Sequence, residues 1–375
     1  MDESRNSVRF PEIARQLRDE VLASRYGSAG RLPSETQLVR RFGVSRPTVA
    51  RALKVLVDEG LLERRAGSGT FVCNGVKTKT SNKLLALLIP GLGNTEIFQL
   101  ICGEIASLAR MNDYGLVWGG SDQPRLDPEL SLQQTRQLCL QFIDRGVAGV
   151  FFAPHEFVKE KEFNREMAEM LREAGIPVVL LDRDLTAFPN RSDFDLIAID
   201  NFAGGYQLAE HLLKLGCKRI HFVAKPLSAS TVDARIAGVR EAFARRGIDP
   251  GPKWIHFGDP EDKKFVRGLA GPTRPDAFIC ANDHTAALLL RELYQCRVNV
   301  PGDVRVVGFD DVKFATLVSP PLTTMQQPCR EIAHTAFRIM MERLSDASCP
   351  PCLSTLSPRL VVRDSCGAYL PRPSE

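Results

Sequence analysis

The apolar residues near the start of the chain follow the period of a helix. Ile13, Leu17 and Val21 recur every four positions and share one face, and Pro11 stands in the first turn, where a proline is tolerated. The glycine at position 27 ends the pattern. The spacing therefore predicts an amphipathic helix from about residue 11.

Two further helices are predicted between residues 34 and 60. Ser34 can cap the first of them, and Gln37 completes a capping box three residues later. After Gly43 a third helix begins with Ser45 as its cap. Its apolar stripe consists of Val49, Ala52, Leu53, Leu56 and Val57. Two helices joined by so short a glycine-containing turn are typical of a helix-turn-helix.

The third helix carries a polar face opposite its apolar stripe. At about 100° per residue, Arg51 and Lys54 lie on that face. Ser45, Arg46 and Thr48 lie at the start of the helix, where a recognition helix meets base edges. The arrangement fits the major groove of duplex DNA, so we predict DNA contacts for these five residues.

A short hairpin is predicted after the third helix. Residues 61–72 (LLERRAGSGTFV) form two β-rich runs around Gly67, Ser68 and Gly69, whose glycines permit close approach to a phosphate backbone. We predict DNA contacts for these three residues and for Arg65 beside them. Taken singly, each element favours a small helical bundle that carries an ordinary hairpin, but the order of three helices and a basic hairpin favours a DNA-binding domain.

Beyond a polar stretch at residues 73–83, interpreted as a flexible linker, short apolar runs alternate with helical stretches. The runs are Leu84–Ile89, Leu116–Trp118, Val150–Phe152, Val178–Leu181, Leu196–Ile199, Ile220–Val223, Ala277–Ile279 and Val304–Val307. Such alternation predicts parallel α/β architecture with strands buried on both faces. Because residues 84–375 are too many for one ordinary domain, we expect two doubly wound lobes with a ligand site beyond the carboxyl ends of their strands.

Charge is distributed unevenly along the chain. The 375 residues carry a formal net charge of +4, but the first 79 hold 15 Lys and Arg against 9 Asp and Glu. The remaining 296 hold 34 against 36, so the basic excess is N-terminal. This asymmetry favours a polyanion-binding domain joined to a nearly neutral body, although a surplus of this size also occurs on ordinary solvated surfaces.

Composition disfavours several other classes of protein. The ten cysteines are scattered, and the one close pair, Cys349 and Cys352, lacks the further ligands of a zinc site. We therefore expect free thiols, no metal and no cofactor. No apolar run approaches the roughly 18 residues of a membrane span, and the opening MDESRNSVRF lacks an apolar secretion segment. These features predict a cytoplasmic protein.

The N-terminal pattern is specific enough to resemble a known family. The run LPSETQLVRRFGVSRPTVARALKVLVDEGLLERRAGSGTFV is similar to the winged helix-turn-helix of GntR-family transcription regulators, over residues 9–72. In that family the third helix enters the major groove and the wing approaches the minor groove, which implies both roles here. Many members carry arginine where this chain has Thr36 and Ala50, and Pro47 replaces a small polar residue. The base preference therefore stays open.

The larger part of the chain, over residues 84–365, resembles the LacI/galactose-repressor family and its periplasmic-binding-protein-like fold. The segments that carry the resemblance are AIDNFAGGYQLAEHLLKLGCKRIHFVA, TVDARIAG, ICANDHTA, VRVVGFDD and PPLTTMQQP. The resemblance implies a dimer, a small effector in the cleft between two lobes, and chain crossings near residues 185, 305 and 328. Lobe 1 would then comprise residues 84–185 and 306–327, and lobe 2 residues 186–305 and 328–375.

The same resemblance implies effector-binding residues. Arg235 matches the family's ligand-contacting arginine, and Asp283 matches the acidic residue after its Ala-Asn pair. A guanidinium donates and a carboxylate accepts hydrogen bonds, so the pair suits a hydroxyl-rich molecule; the alternative is a surface salt bridge or a helix cap. Phe98 matches an aromatic position that can cover an apolar sugar face. Thr231 and Asp182 are further candidates.

A GntR-type head on a LacI-type body resembles the architecture of arabinose repressors. Residues 73–82 contain no leucine-bearing hinge of the LacI kind, so the coupling between effector and DNA cannot be copied from that family. The resemblance implies a transcription regulator, most simply a repressor, that acts as a homodimer on operator DNA under the control of a carbohydrate-like effector. We expect no membrane partner and no enzymatic activity.

One alternative function is catalytic. Asp182, Asp184 and Thr186 spell the DxDxT motif of haloacid-dehalogenase-type phosphohydrolases, and Asp310 and Asp311 are potential magnesium ligands. That motif normally ends the first strand of its fold, whereas several predicted strands precede it here. A third hypothesis is a solute-binding protein, but that function leaves the N-terminal head unexplained.

Overall fold

A computed structural model describes residues 9–22, 25–26, 31–58, 61–65, 69–72, 83–89, 96–119, 128–156 and 162–370. The chain divides into two compact units, Met1–Lys83 (the head) and Leu84–Glu375 (the body). Residues 73–82 of the linker predicted at 73–83 lie outside the described residues. None of the helices in these ranges is long and apolar enough to cross a bilayer.

The head contains three helices and a two-stranded hairpin. The helices are α1 (Arg9–Leu22), α2 (Glu35–Phe42) and α3 (Arg46–Asp58), and the strands are β1 (Leu62–Arg65) and β2 (Gly69–Val72). The two strands pair antiparallel. Leu17, Leu38, Val49 and Leu56 are fully buried against one another, because the apolar stripes of all three helices face one core. The predicted helices and wing are confirmed.

Local signals set the ends of α2. Ser34 accepts a hydrogen bond from the backbone N–H of Gln37, and the Gln37 side chain accepts one from the Ser34 N–H, which confirms the predicted capping box. Gly43 ends the helix at φ 62°, a left-handed conformation that favours glycine. The turn to α3 is therefore short and rigid.

The body is built from alternating strands and helices. Its first half contains β3 (Leu84–Leu88), α4 (Glu96–Met111), β4 (Gly115–Gly119), α5 (Pro128–Arg145), β5 (Gly149–Phe152), α6 (Phe163–Glu173), β6 (Val178–Leu181), β7 (Asp195–Ile199), α7 (Asn201–Lys214) and β8 (Ile220–Ala224). Its second half contains α8 (Ser230–Arg245), β9 (Ile255–Phe257), α9 (Lys263–Leu269), β10 (Ala277–Cys280), α10 (Asp283–Gln295), β11 (Arg305–Asp310), α11 (Phe314–Leu317), β12 (Thr323–Gln326), α12 (Cys329–Ser345), β13 (Leu353–Leu356), β14 (Arg359–Val361) and a 3-10 turn (Asp364–Cys366).

These strands form two sheets of six, one in each lobe. The first sheet has the order β13-β7-β6-β5-β3-β4 and is parallel throughout. The second has the order β14-β12-β11-β10-β8-β9, with β14 alone antiparallel. Strands β5, β6, β7 and β10 are buried at every position, as expected for strands covered by helices on both faces. The two-lobed α/β prediction is confirmed.

The predicted division of the chain between the lobes is wrong in part. Strand β7, assigned to lobe 2, pairs in the first sheet, whereas β11 and β12, assigned to lobe 1, pair in the second. The chain crosses between β7 and α7, between β12 and α12, and between β13 and β14. Only the crossing expected near residue 328 agrees with this topology. Buried strands of both sheets are short apolar runs, so the runs do not reveal which sheet a strand joins.

Helices α7 and α8 pack unusually closely because each carries a glycine at the contact. A Cβ atom on Gly205 would lie 2.1 Å from the carbonyl oxygen of Arg235, and one on Gly238 would lie 2.0 Å from that of Phe202. No side chain fits in either place. The close approach brings the first turn of α7, with Asn201, against Arg235 of α8.

Candidate functional site

A group of charged side chains gathers between the two sheets of the body, where several parallel strands end. Asp182 and Arg183 follow β6, and Asp310 is the last residue of β11. Glu156 lies four residues after β5, and Gln327 directly follows β12. The ends of parallel strands are where such sheets bind ligands, so we call these residues, with Arg235 and Asn201, the cleft cluster.

Arg235 is the centre of the cluster on the lobe 2 side. Its Nε donates to Asn201 Oδ1 at 2.8 Å, its Nη1 donates to the carbonyl oxygen of Ala281, and its guanidinium carbon lies 3.7 Å from the centre of the Phe309 ring. Only 5% of the residue is exposed. The side chain is therefore fixed by three neighbours, while its Nη2 remains 3.9 Å from Asp310 Oδ1, beyond hydrogen-bond distance.

Asp310 faces Arg235 and is itself constrained. Its backbone has φ 117°, outside the region that L residues favour, and its Oδ1 accepts a hydrogen bond from Gln327 Nε2 at 2.8 Å. Burial raises the pKa of this carboxyl to about 7, and the nearby Arg235 opposes the rise. Strained conformations of this kind concentrate at functional sites.

The carboxyl of Asp310 makes stability depend on pH in a defined direction. Its pKa of about 7 in the folded body exceeds the usual 3.8, so the folded state holds the proton more tightly than the unfolded chain. The resulting stabilisation is present below about pH 4 and disappears as the pH rises through about 7. We expect the melting temperature of Asp310→Asn, relative to that of the unchanged protein, to increase between about pH 5 and pH 8. Thermal unfolding without effector measures this difference, and a constant difference would contradict the assignment.

Arg183 anchors the lobe 1 side of the cluster. Its guanidinium lies 2.8 Å from Glu156 Oε1 and 3.0 Å from Asp182 Oδ2, and it sits over the Phe98 ring at 5.6 Å. The residue is 5% exposed. Because two carboxylates and an aromatic ring hold it, Arg183 presents a fixed edge rather than a mobile side chain.

Two acceptors in the cluster have no hydrogen-bond partner among the described atoms. They are Asp182 Oδ1 and Gln327 Oε1, both buried. Asp182 also has φ 70°, a left-handed backbone that is uncommon outside glycine. An unpaired buried acceptor costs free energy, so a ligand that donates hydrogen bonds to these oxygens would be stabilised by them.

A cavity of about 100 Å³ adjoins the cluster. Asp182, Asn201 and Thr231 line it, together with Ala234, next to Arg235, and Thr355 of β13. The lining comes from strands of the first sheet, from helices α7 and α8 of lobe 2, and from the first crossing between the lobes. The cavity is therefore placed where a relative movement of the lobes changes its size.

The structure gives the five predicted effector residues different positions relative to the cavity. Asp182 and Thr231 line the cavity and Arg235 lies beside it, so these three are brought together. Phe98 is only 2% exposed and its ring is covered by Arg183, so it supports the cluster and offers no free face to a sugar.

Asp283 has a different role from the predicted one. It is completely buried; its Oδ1 accepts from Thr324 Oγ1 at 2.6 Å and its Oδ2 from the Val312 N–H at 3.0 Å. Burial raises the pKa of this carboxyl well above its usual value. Both oxygens are thus used to join α10 to β12 and to the segment after β11, and neither is left for an effector.

Sequence reasoning missed Glu156, Arg183, Asn201, Asp310 and Gln327 as cleft residues. Asp310 was considered only as a possible magnesium ligand. A usable signal was present, because polar residues that directly follow buried strands lie at the ligand-binding edge of a parallel sheet. Arg183 lies two residues after the predicted strand Val178–Leu181, and Asp310 lies three residues after the predicted strand Val304–Val307, so both are close to that edge in the sequence.

The second candidate site is the polar face of the head. Arg51 and Lys54 are exposed on α3 and form no ion pair with any described residue, as predicted for a DNA-facing helix. Arg46 is exposed and bonded to Glu35. Arg65 bonds to Glu63 and lies over the Phe71 ring at 4.8 Å. These arginines are therefore held near the start of α3 and on the wing.

Other predicted DNA contacts are placed differently. Thr48 is only 4% exposed, and its hydroxyl lies 2.8 Å from that of Ser45, so the two residues stabilise the start of α3 and Thr48 does not face outward. Gly69, at φ 119°, pairs with Arg65 at the end of the hairpin. Gly67 and Ser68 lie outside the described residues.

The helix-turn-helix with its wing, and a two-lobed body with a polar cleft, together define the class of DNA-binding regulators with a ligand-binding body. Residues 11–72 match the bacterial regulatory proteins of the gntR family, and residues 209–366 match the periplasmic binding protein-like domain. The HTH-type transcriptional repressor PurR of Photobacterium profundum is 32% identical over 357 residues, 88% of this chain and 97% of that protein. The chain belongs to this family of HTH-type transcriptional repressors.

Other similar proteins extend the comparison. The arabinose metabolism transcriptional repressor of Geobacillus stearothermophilus is 24% identical over 370 residues, 95% of this chain and 97% of that protein. The transcriptional regulator CelR–cellobiose complex shares the fold at TM-score 0.64 and 23% identity, over 86% of this chain and 91% of that one. A LacI family regulator from Enterococcus faecium with bound ribose has TM-score 0.62 and 21% identity, over 75% and 98% of the two chains.

The phosphohydrolase alternative receives no support from these relatives, which are transcription regulators. The DxDxT residues are also engaged elsewhere: Asp184 Oδ1 accepts from the Thr186 N–H and hydroxyl at 3.0 Å and from the Ser192 N–H at 3.1 Å. This aspartate therefore holds its own loop together.

Proposed function

We propose that this protein represses transcription by binding operator DNA through its head, and that a small carbohydrate-like effector in the cleft controls that binding. The observation that carries the proposal is the cleft cluster, in which fixed arginines and unpaired acceptors lie beside a cavity between two lobes. An effector controls DNA binding only if it binds one arrangement of the lobes better than another. The proposal includes a cytoplasmic location, because operator DNA lies there.

The chemistry of the cluster favours an effector rich in hydroxyl groups. Arg235 Nη2 is a donor without a close partner, whereas Asp182 Oδ1 and Gln327 Oε1 are acceptors without one. A hydroxyl group both donates and accepts, so neighbouring hydroxyls of a sugar satisfy donors and acceptors of this kind together. The proposal includes no catalytic step: Asp182 Oδ1 accepts a hydrogen bond from the effector and transforms nothing.

Two measurements test the proposal. Selection from a random pool of duplexes should yield a pseudo-palindromic sequence that the protein binds with an affinity that falls steeply with salt. A thermal-shift screen of mono- and disaccharides should identify compounds that raise the melting temperature and change the affinity for the selected duplex. Failure to select any sequence would rule out the DNA-binding role, and a sugar that stabilises the body without altering DNA affinity would rule out the coupling.

We also propose that the protein is a homodimer and that α4 contributes to the interface. Leu100 and Met111 are 60% and 78% exposed and, eleven residues apart, lie on the same face of α4. Trp118, on the adjacent edge strand β4, is 45% exposed. An exposed apolar helix face beside a sheet edge is an unusual surface for a monomer. A two-fold dimer also matches a pseudo-palindromic operator.

Charge placed on this face should prevent dimerisation. We expect the double variant Leu100→Glu, Met111→Glu to sediment as a monomer at micromolar concentration and to lose most of its operator affinity, because one head contacts only a half-site. Leu227→Glu, at a residue 54% exposed elsewhere on the body, is the matched control and should remain dimeric. A dimeric double variant would mean that α4 is not the interface.

A further inference from the structure

Glu35, the first residue of α2, forms ion pairs with two different elements of the head. Arg46 Nε, at the start of α3, donates to Glu35 Oε2 at 3.2 Å. Arg64 Nη2, on wing strand β1, donates to Glu35 Oε1 at 3.1 Å. Each carboxylate oxygen thus has its own arginine, and one side chain connects the recognition helix to the wing.

The exposure of the three residues shows how this carboxylate is placed. The Glu35 side chain is 25% exposed, whereas those of Arg46 and Arg64 are 75% and 49% exposed. The arginines therefore remain accessible from outside while the acid lies behind them. Any phosphate that approaches Arg46 or Arg64 must compete with a carboxylate that is already bonded to the same guanidinium.

Other cations on this face have no such restraint. Arg51 and Lys54 of α3 form no ion pair within the described head. They attract the phosphates of any DNA equally, since that attraction does not depend on sequence. The two paired arginines differ because each must give up, or share, its carboxylate before it contacts a phosphate fully.

We propose that Glu35 is a specificity-determining residue of the head: its carboxylate fixes Arg46 and Arg64 in one arrangement and withholds both from the phosphates of DNA with the wrong sequence. On a matching duplex the two arginines contact their targets in the arrangement that Glu35 already fixes, so little binding free energy is lost. On any other duplex the carboxylate opposes their use. This is discrimination by weakening the wrong complex. The inference rests on the proposed DNA-binding function.

The test compares Glu35→Gln with the unchanged protein on two duplexes, the one selected from the random pool and a scrambled version of it. Affinities are measured by fluorescence anisotropy across a salt series. We expect Glu35→Gln to bind the scrambled duplex about tenfold more tightly, and the logarithmic salt slope for that duplex to steepen by roughly 1 to 2, since each phosphate contact contributes about 0.9. The ratio of selected to scrambled affinity should fall about tenfold.

Asp58→Asn is the matched control for charge. It changes the net charge by the same amount at the last residue of α3, about 18 Å along the helix from Arg46. We expect it to change either affinity less than about threefold. If Asp58→Asn matches Glu35→Gln, or if Glu35→Gln leaves the ratio unchanged, the inference is overturned.

A second variant keeps the test decisive if Glu35→Gln fails to fold. Arg64→Gln leaves Glu35 and Arg46 in place. Because Glu35 withholds Arg64 from scrambled DNA, this substitution should change the affinity for the scrambled duplex less than about twofold. Arg51→Gln, which removes an unrestrained cation, should weaken scrambled binding clearly. Equal losses in the two variants would show that Arg64 is not withheld. If the unchanged protein selects no sequence at all, the DNA-binding function itself fails, which is a separate result.

Discussion

Replacing Arg51 by alanine should weaken binding to the selected operator about 30-fold or more and leave effector binding unchanged. Arg51 is exposed on the recognition helix and has no ion-pair partner among the described residues, so it is free to contact base edges or phosphates. A lost bidentate base contact costs roughly 1–3 kcal/mol, and the proposed dimer would lose two of them. Anisotropy with labelled duplex measures the loss.

The control for Arg51→Ala is Arg240→Ala, which removes one exposed positive charge from α8 of the body. It should leave operator affinity within about twofold at the same salt, because a single exposed charge outside the head contributes little to phosphate attraction once salt screens it. If both variants weaken binding equally, net charge, and not the face of α3, determines affinity.

Replacing Arg235 by alanine should abolish the effector response, with effector affinity falling about 100-fold or more. The substitution removes a buried donor and leaves Asn201, the Ala281 carbonyl and Asp310 without their partner. Losing a hydrogen bond from a charged donor weakens effector binding by roughly 1.5–3 kcal/mol. Unpairing a buried charge lowers the stability of the fold by roughly 3–5 kcal/mol. Isothermal titration with the sugar found in the screen gives the affinity.

Arg235→Lys separates the shape of the side chain from its charge. Lysine keeps the positive charge but lacks the planar fork that serves two acceptors, so we expect effector affinity to stay reduced at least tenfold while the melting temperature recovers. Both variants should retain operator binding without effector. Loss of that binding in a folded Arg235→Ala protein would contradict the division of labour between head and body.

The head was predictable almost residue by residue because its signals are local. Ser34 with Gln37, and Gly43 after α2, each specify a helix end without reference to the rest of the chain. Thr48 was predicted to face DNA but is buried, and the helical period already indicates why. It stands four residues before the buried Ala52, so it belongs to the edge of the apolar stripe. Its position near the start of a recognition helix outweighed that spacing.

The body shows where local pattern stops being sufficient. All eight predicted strands exist, yet four others were not identified. Strands β9, β13 and β14 lie at sheet edges and have exposed positions, whereas β12 is buried but consists mainly of polar residues. Asp283 looked like a ligand residue because it follows Ala281 and Asn282 at the end of a strand. Its carboxylate instead turns toward Thr324, 41 residues later in the chain. A contact of that range leaves no trace in local spacing.

Strands β13 and β14 complete the two lobes, and this sets the order in which the protein is finished on the ribosome. Strand β13 forms one edge of the first sheet and β14 one edge of the second. Because synthesis runs from the N-terminus and domains fold as they emerge, the head is finished while both sheets still lack a strand. A nascent or truncated chain that ends before Leu353 therefore has a complete DNA-binding head and a body that lacks one strand in each sheet. Premature termination would then yield heads whose DNA binding no effector controls.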